Sequence, residues 1–232
     1  MKNIIILGGG RVGSAIAYDL AKQFLVTVAD INNNTLSKLQ AKYNISTTAL
    51  DVSNTEELKK TIQKYDLVIS AVPGFMGFKT LRTIIEAKKN VVDISFFPEN
   101  ALELNNLAQT NNVTALVDFG VAPGLGNILF GHYDTQFNIN SYACYVGGLP
   151  KRKTLPFEYK APFSPIDVIE EYTRPARLFE NGQIIIKDPL SEIEILKFDQ
   201  TEELEAFNTD GLRSLLYTMS HVPQMKEKTL RY

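Results

Sequence analysis

The segment that most restricts the fold is Gly8-Gly9-Gly10-Arg11-Val12-Gly13, directly behind the apolar run at 2–7. It matches G-x-G-x-x-G at the point where a first strand would end and a first helix begin. Gly8 allows a tight turn there, Gly10 lets the backbone approach a pyrophosphate, and Gly13 lets the helix pack on the strand. Arg11 and Val12 fall at the helix start, where free N–H groups and a partial positive charge favour phosphate. The motif points to a dinucleotide crevice. A glycine turn without a ligand is the alternative.

The rest of the first half follows the same logic. Short apolar runs at 25–29, 47–52, 67–71, 91–94 and 114–119 predict further strands. Helical spacing at 13–22, 35–43, 55–65, 80–88 and 101–110 predicts helices between them, with Thr55 as an N-cap. Continuous apolar runs suit strands buried on both faces, and this alternation implies a parallel sheet with right-handed crossovers. Asp30 ends the second run. An acidic side chain there accepts bonds from ribose hydroxyls and repels a 2′-phosphate. No arginine follows in Ile31-Asn32-Asn33-Asn34, so NAD is expected over NADP. A strand-end turn is the other role for Asp30. Asp51, Ala71 and Pro73 end later runs and are expected to border the cofactor. Tyr18 and Lys22 match a Tyr-x-x-x-Lys pair, but on the first helix they would point away from a nicotinamide.

Composition removes several function classes. Lys and Arg number 24 against 26 Asp and Glu, a net charge of −2, so no basic field is available for nucleic acid. No run approaches the roughly 18 apolar residues of a membrane helix, and no signal-peptide pattern opens the chain. A soluble, cytoplasmic protein is expected. One cysteine, Cys144, and two separated histidines, His132 and His221, argue against a disulfide framework or a metal site.

The texture changes near Gly131. A Rossmann-type, doubly wound parallel α/β domain is expected over 1–130, and an α+β substrate and dimerisation domain over 131–232. In the second part, 141–146 and 192–198 read as strands, 166–172 as a short helix and 211–219 as a longer one. Asn181-Gly182 between 177–180 and 183–187 signals a hairpin. Lys151-Arg152-Lys153 reads as a solvated turn.

Longer motifs carry a resemblance. They are Gly8-Gly-Gly-Arg-Val-Gly-Ser-Ala, Asp93-Ile-Ser-Phe-Phe-Pro98 and Asp118-Phe-Gly-Val-Ala-Pro-Gly-Leu-Gly-Asn127. The second half adds Val146-Gly-Gly-Leu-Pro150, Ser164-Pro165, Glu171-Tyr172-Thr-Arg-Pro-Ala176 and Leu204-Glu-Ala-Phe-Asn-Thr-Asp-Gly-Leu-Arg213. Over almost its whole length the chain resembles the saccharopine dehydrogenase family, most of all a lysine 6-dehydrogenase-like branch. The resemblance implies an NAD(P)-dependent oxidoreductase acting on a CH–NH bond of an amino acid, lysine or a relative. A homodimer is expected. Hydride would pass from the carbon bearing the amine to the nicotinamide. The saccharopine-reducing branch usually carries an aspartate before the Pro-Gly, where this chain has Ala122, which speaks against saccharopine as substrate.

Candidate site residues follow, each with a bland alternative. Asp118 would face an amine or merely end a tight loop. Tyr172 would exchange a proton or pack in the core. Thr209 and Asp210 would aim donors and a carboxylate at the substrate or cap the helix at 211–219. Gly147 and Gly148 would approach the nicotinamide or form a turn. Arg174 and Arg213 would hold a carboxylate or pair at the surface. The family continues beyond the motif that ends here at Tyr232, so a truncated chain is expected, prone to poor solubility or obligate association. Two other readings stay open. Potassium-channel regulatory subunits begin with a similar glycine loop, although the Pro-Gly-rich stretch at 121–126 and the proline-rich second half fit them poorly. A family member that binds NAD without turnover is the other.

Overall fold

In the computed structural model, strand β1 (Asn3–Leu7) divides its side chains between two cores. Ile5 and Leu7 pack with Leu58, Ile62, Leu81 and Ile84 on one face. Ile4 and Ile6 pack with Ala17, Leu36 and Leu39 on the other. Alternation along a strand buried on both faces requires helices above and below the sheet. They are α1 (Arg11–Leu20) and α2 (Asn33–Tyr43) on one side, and α3 (Thr55–Ile62) and α4 (Gly74–Glu86) on the other. The other strands are β2 (Leu25–Asp30), β3 (Ser46–Ala49), β4 (Leu67–Ser70), β5 (Val91–Asp93) and β6 (Ala115–Leu116). Their order is β3-β2-β1-β4-β5-β6, and every pairing is parallel. The doubly wound sheet expected from sequence is therefore present. Its winding reverses at β1, which leaves a crevice at the carboxyl ends of the strands.

Several boundaries differ from expectation. Asn54, not Thr55, caps α3, its side chain accepting from the Glu57 N–H at 3.2 Å. Helix α4 starts at Gly74 rather than at 80. Its first turn looks like a loop in sequence because of Gly74 and Gly77. Both are buried, and Gly77 backs onto Ser95 and Phe97 with no room for a side chain. The stretch 101–110 divides into a 3₁₀ turn, Ala101–Leu104, and α5 (Asn105–Thr110).

The structure describes residues 1–199 and 202–232, in two compact units, Met1–Gly120 and Val121–Tyr232. The boundary expected at 130 falls inside α6 (Leu125–Asp134), a helix of the second unit that the sequence reading missed. That unit continues with β7 (Tyr142–Val146), α7 (Pro165–Thr173), β8 (Ala176–Glu180), β9 (Gln183–Lys187), β10 (Glu194–Leu196), β11 (Leu204–Asn208), α8 (Leu215–Thr218) and β12 (Gln224–Arg231). Asn181 and Gly182 make the expected hairpin turn between β8 and β9, with φ of +52° and +78°. Strand β12 is central. Met225 and Lys228 each have two register partners, so β7 runs parallel along one edge while β8 and β11 run antiparallel along the other. Neither β11 nor β12 is expected from sequence; the charges of Lys226, Glu227 and Lys228 mask the strand pattern of β12.

The helix expected at 211–219 is only α8, and Ser214 holds its N-cap position. Thr209 and Asp210 therefore cap nothing. Among the described residues no helix is long and apolar enough to cross a membrane.

Candidate functional site

The glycine loop is built as its spacing requires. Gly8 has φ of +101°, and a Cβ there would strike the Ala71 carbonyl. A Cβ on Gly13 would overlap the Gly8 carbonyl oxygen. Gly10 precedes α1 without a side-chain cap, and a Cβ on it would meet nothing. Open space therefore lies before a helix start whose first N–H groups have no intrahelical partner. The Asp30 carboxylate accepts the Gly9 N–H and the Asn32 N–H, each at 2.7 Å. It shapes the loop, and its remaining lone pairs suit ribose hydroxyls. These residues fit a dinucleotide: Gly8, Gly10, Arg11, Val12 and Gly13 for the pyrophosphate, Asp30 for the ribose.

The other expected cofactor contacts cluster at the strand ends. The Ala71 N–H donates to Leu7 O at 2.8 Å, and Pro73 leads into α4. Asp51 follows β3 and accepts the Ser53 N–H at 2.9 Å; bonding to Ser53 holds its carboxyl below the usual range. Buried polar groups outside the sequence-based candidates end or follow β4 and β5. The Ser95 N–H donates to Asp93 Oδ1 at 2.9 Å, and Ser70 Oγ lies 3.4 Å from Ser95 Oγ. Asp118 is buried with φ of +53°, and the next N–H, of Phe119, donates to Asp93 O at 3.1 Å. The motif from Asp93 to Pro98 was the sequence signal for this group.

In the second unit, charge is buried rather than shed to the surface. Asp210, 2% exposed, accepts Arg177 Nε at 2.8 Å, Arg177 Nη2 at 2.7 Å and the Arg177 N–H at 3.2 Å. Arg174 Nη1 stands 3.9 Å from the same carboxylate, and Arg174 Nη2 donates to Glu170 at 3.0 Å. Arg231 Nε donates to the Tyr172 hydroxyl at 2.8 Å and Nη2 to Glu171 at 2.9 Å. Arg213 is buried with φ of +45°. Tyr172, Arg174, Thr209, Asp210 and Arg213, picked from distant stretches, thus share one cluster. Sequence reading missed Glu171 on α7 and Arg177, Glu227 and Arg231 on strands, since charges at such positions look solvent-facing.

Glu227 is the most perturbed of these. Burial, then Glu171 and Asp210 nearby, push its carboxyl up to about 8. Burial also raises the Glu171 carboxyl, against the pull of Arg231.

Other candidates sit elsewhere. Gly147 backs onto Leu230 and Gly148 onto Pro162. Burial raises the Cys144 thiol, which keeps it protonated. His221 pairs with Asp134 at 2.8 Å in an exposed setting, and His132 meets Gln136. Tyr18 is exposed with its ring tilted against that of Tyr43, and Lys22 pairs with Asp19. Among the described residues no group of His, Cys, Asp or Glu is arranged to hold a metal.

Two family profiles match the chain: the saccharopine dehydrogenase NADP binding domain over residues 4–116, and the saccharopine dehydrogenase C-terminal domain over residues 120–232. The mitochondrial alpha-aminoadipic semialdehyde synthase of Mus musculus is 27% identical over 247 residues, covering 100% of this chain and 27% of that protein. The saccharopine dehydrogenase [NADP(+), L-glutamate-forming] of Pyricularia oryzae is 27% identical over 192 residues, covering 79% of this chain and 43% of that protein. Among solved structures, the apo saccharopine dehydrogenase (L-Glu forming) of Saccharomyces cerevisiae aligns with a TM-score of 0.75 and 23% identity, over 100% of this chain and 55% of that one. The chain therefore spans about a quarter to a half of the length of these three relatives.

Proposed function

The chain belongs to the saccharopine dehydrogenase family, and on that premise we propose that it is an NAD(P)-dependent oxidoreductase acting on a carbon–nitrogen bond of an amino acid. The observation that carries this is the Gly8–Gly13 cradle closed by the Asp30 carboxylate, with open space at Gly10. The bound nicotinamide supplies the hydride acceptor. The chain's own residues bind, orient and handle the proton. Gly8, Gly10, Arg11, Val12 and Gly13 hold the pyrophosphate, and Asp51, Ala71 and Pro73 border the nucleotide. Asp118 of the first unit, and Tyr172 and Asp210 of the second, are each proposed to exchange a proton with the substrate. Gly147, Gly148, Arg174, Thr209 and Arg213 are those proposed for the rest of the substrate. Lysine or a related amino acid is the proposed substrate, and Ala122 in place of an aspartate supports it over saccharopine.

NAD is proposed over NADP, because the Asp30 carboxylate would meet a 2′-phosphate with like charge. The family profile and the fungal relative carry NADP in their names, so the choice needs a direct test. Calorimetry with NAD and NADP should give tighter NAD binding. Asp30→Arg should shift the ratio towards NADP by tenfold or more. Unchanged NAD affinity in that variant would remove Asp30 from the ribose site. Reduction of the bound dinucleotide with L-lysine, in a panel of amino acids, would establish the activity. Binding without turnover across the panel would replace it with a non-catalytic, dinucleotide-binding role. A homodimer is proposed alongside; Leu125, Leu129 and Tyr133, exposed at four-residue spacing on α6, are the surface to test.

A further inference from the structure

Glu227 stands in register with Cys144 on the neighbouring strand, on the face of the sheet opposite to that of Lys226 and Lys228. Its carboxyl lies flat against Gly211, so closely that a Cβ on residue 211 would occupy the carboxyl's own position. The Thr209 hydroxyl donates to Glu227 Oε1 at 3.5 Å, and the Thr209 N–H donates to the Glu227 main-chain oxygen at 3.3 Å. Segment 208–213 is buried throughout. One acidic side chain thus supports the segment that holds Thr209, Asp210 and Arg213.

The charges around it are nearly balanced. From segment 208–213 come Asp210 and Arg213, and from α7 come Asp167, Glu170, Glu171 and, at its end, Arg174. Arg177 comes from β8 and Arg231 from β12 itself. Strand β7 contributes Tyr142 and Cys144, both kept neutral by burial. Four guanidinium groups face four carboxylates other than Glu227. With these groups charged, the proton on Glu227 sets the cluster at neutral or negative.

We propose that Glu227 is a positioning residue that tunes this cluster for an anionic ligand. Protonated, it supports segment 209–213 in the arrangement that receives the carboxylate of an amino-acid substrate. Ionised, it makes the cluster net negative and repels that carboxylate, while pressing a charge against Asp210 and Glu171. The inference rests on the amino-acid reading above and adds a regulation to the same site. Like-charge repulsion at close range in a buried setting exceeds screening by salt. The perturbed carboxyl, at about 8, sets the range in which the effect should be seen.

The test uses the full chain with saturating NAD and calorimetric titration of L-lysine, L-glutamate and L-saccharopine from pH 6 to 9.5. For an amino acid that binds, affinity of the wild type should fall by about tenfold from pH 7 to pH 9 beyond any fall seen in Glu227→Gln. Any fall shared by both belongs to the ligand's own amine. Glu227→Asp keeps a titrating carboxyl but withdraws it from Gly211, so it should retain the dependence with a shifted midpoint. A merely structural Glu227 would change affinity at every pH alike. Parallel profiles for wild type and Glu227→Gln overturn the inference and leave the amino-acid reading standing. If no amino acid binds at any pH, that reading fails and this one with it. If Glu227→Gln does not fold, coincident midpoints for wild type and Glu227→Asp overturn it.

Discussion

Between about pH 5 and pH 9 the wild-type chain should lose roughly 3–5 kcal/mol of stability that Glu227→Gln retains. Glu227 lies at 5% exposure, and its carboxyl is raised to about 8, first by burial and then by Glu171 and Asp210. In the unfolded chain the same group ionises in the ordinary carboxylate range. Over the interval between the two values the native state holds a proton that the unfolded state has released. A raised group contributes its stability in full at low pH and loses it as pH climbs through the native value. Glutamine keeps the shape and cannot ionise, so it lacks the slope. The Glu171 carboxyl is also raised and remains in both chains, so the comparison reads Glu227 together with its coupling to Glu171. Urea denaturation of both proteins at the two pH values reads the difference. Curves that move in parallel would show that Glu227 does not titrate in this window.

Arg177→Ala should cost about 2–4 kcal/mol, because it strips a buried carboxylate of its main partner. Asp210, 2% exposed, receives both nitrogens of the Arg177 fork and the Arg177 N–H. The estimate sits below the full cost of orphaning a buried charge for two reasons. The Arg177 side chain is 23% exposed, and Arg174 Nη1 waits at 3.9 Å as a partial substitute. Arg177→Lys keeps the charge but loses the planar fork, and should recover only part of the loss. Dinucleotide affinity is the control, since the cradle at residues 8–30 makes none of these contacts. A cost under about 1 kcal/mol would mean that Arg174 takes over Asp210 unaided.

Both variants concern residues that sequence reading handled poorly, and the reason is physical. Asp210 was visible as a candidate, but as a helix cap or a substrate group. Its partner Arg177 lies in the hairpin strand β8, where an arginine between apolar residues looks like an ordinary exposed position. Glu227 sits in Met225-Lys-Glu-Lys, whose charges hide a strand that is central to its sheet. Local pattern reports which face of a strand is apolar. It does not report when the inward face is lined with ion pairs, because burial of such pairs depends on partners from α7, β8 and β12 together.

The first unit was far more legible. Its short apolar strands, the glycines at 8, 10 and 13 and the aspartate at 30 obey constraints within a few residues of each other. Strand and helix periods, a turn that only Gly8 tolerates, and an acid closing β2 are all local requirements. The sequence alone thus determined the parallel sheet, the glycine turn behind β1 and the hairpin at Asn181-Gly182. Tertiary structure alone decided where the second unit begins, that β12 lies at its centre, and that Thr209, Asp210, Arg213 and Glu227 meet out of water. Those outcomes turn on non-local strand pairing and on the desolvation of charge, and neither leaves a short-range signature in the chain.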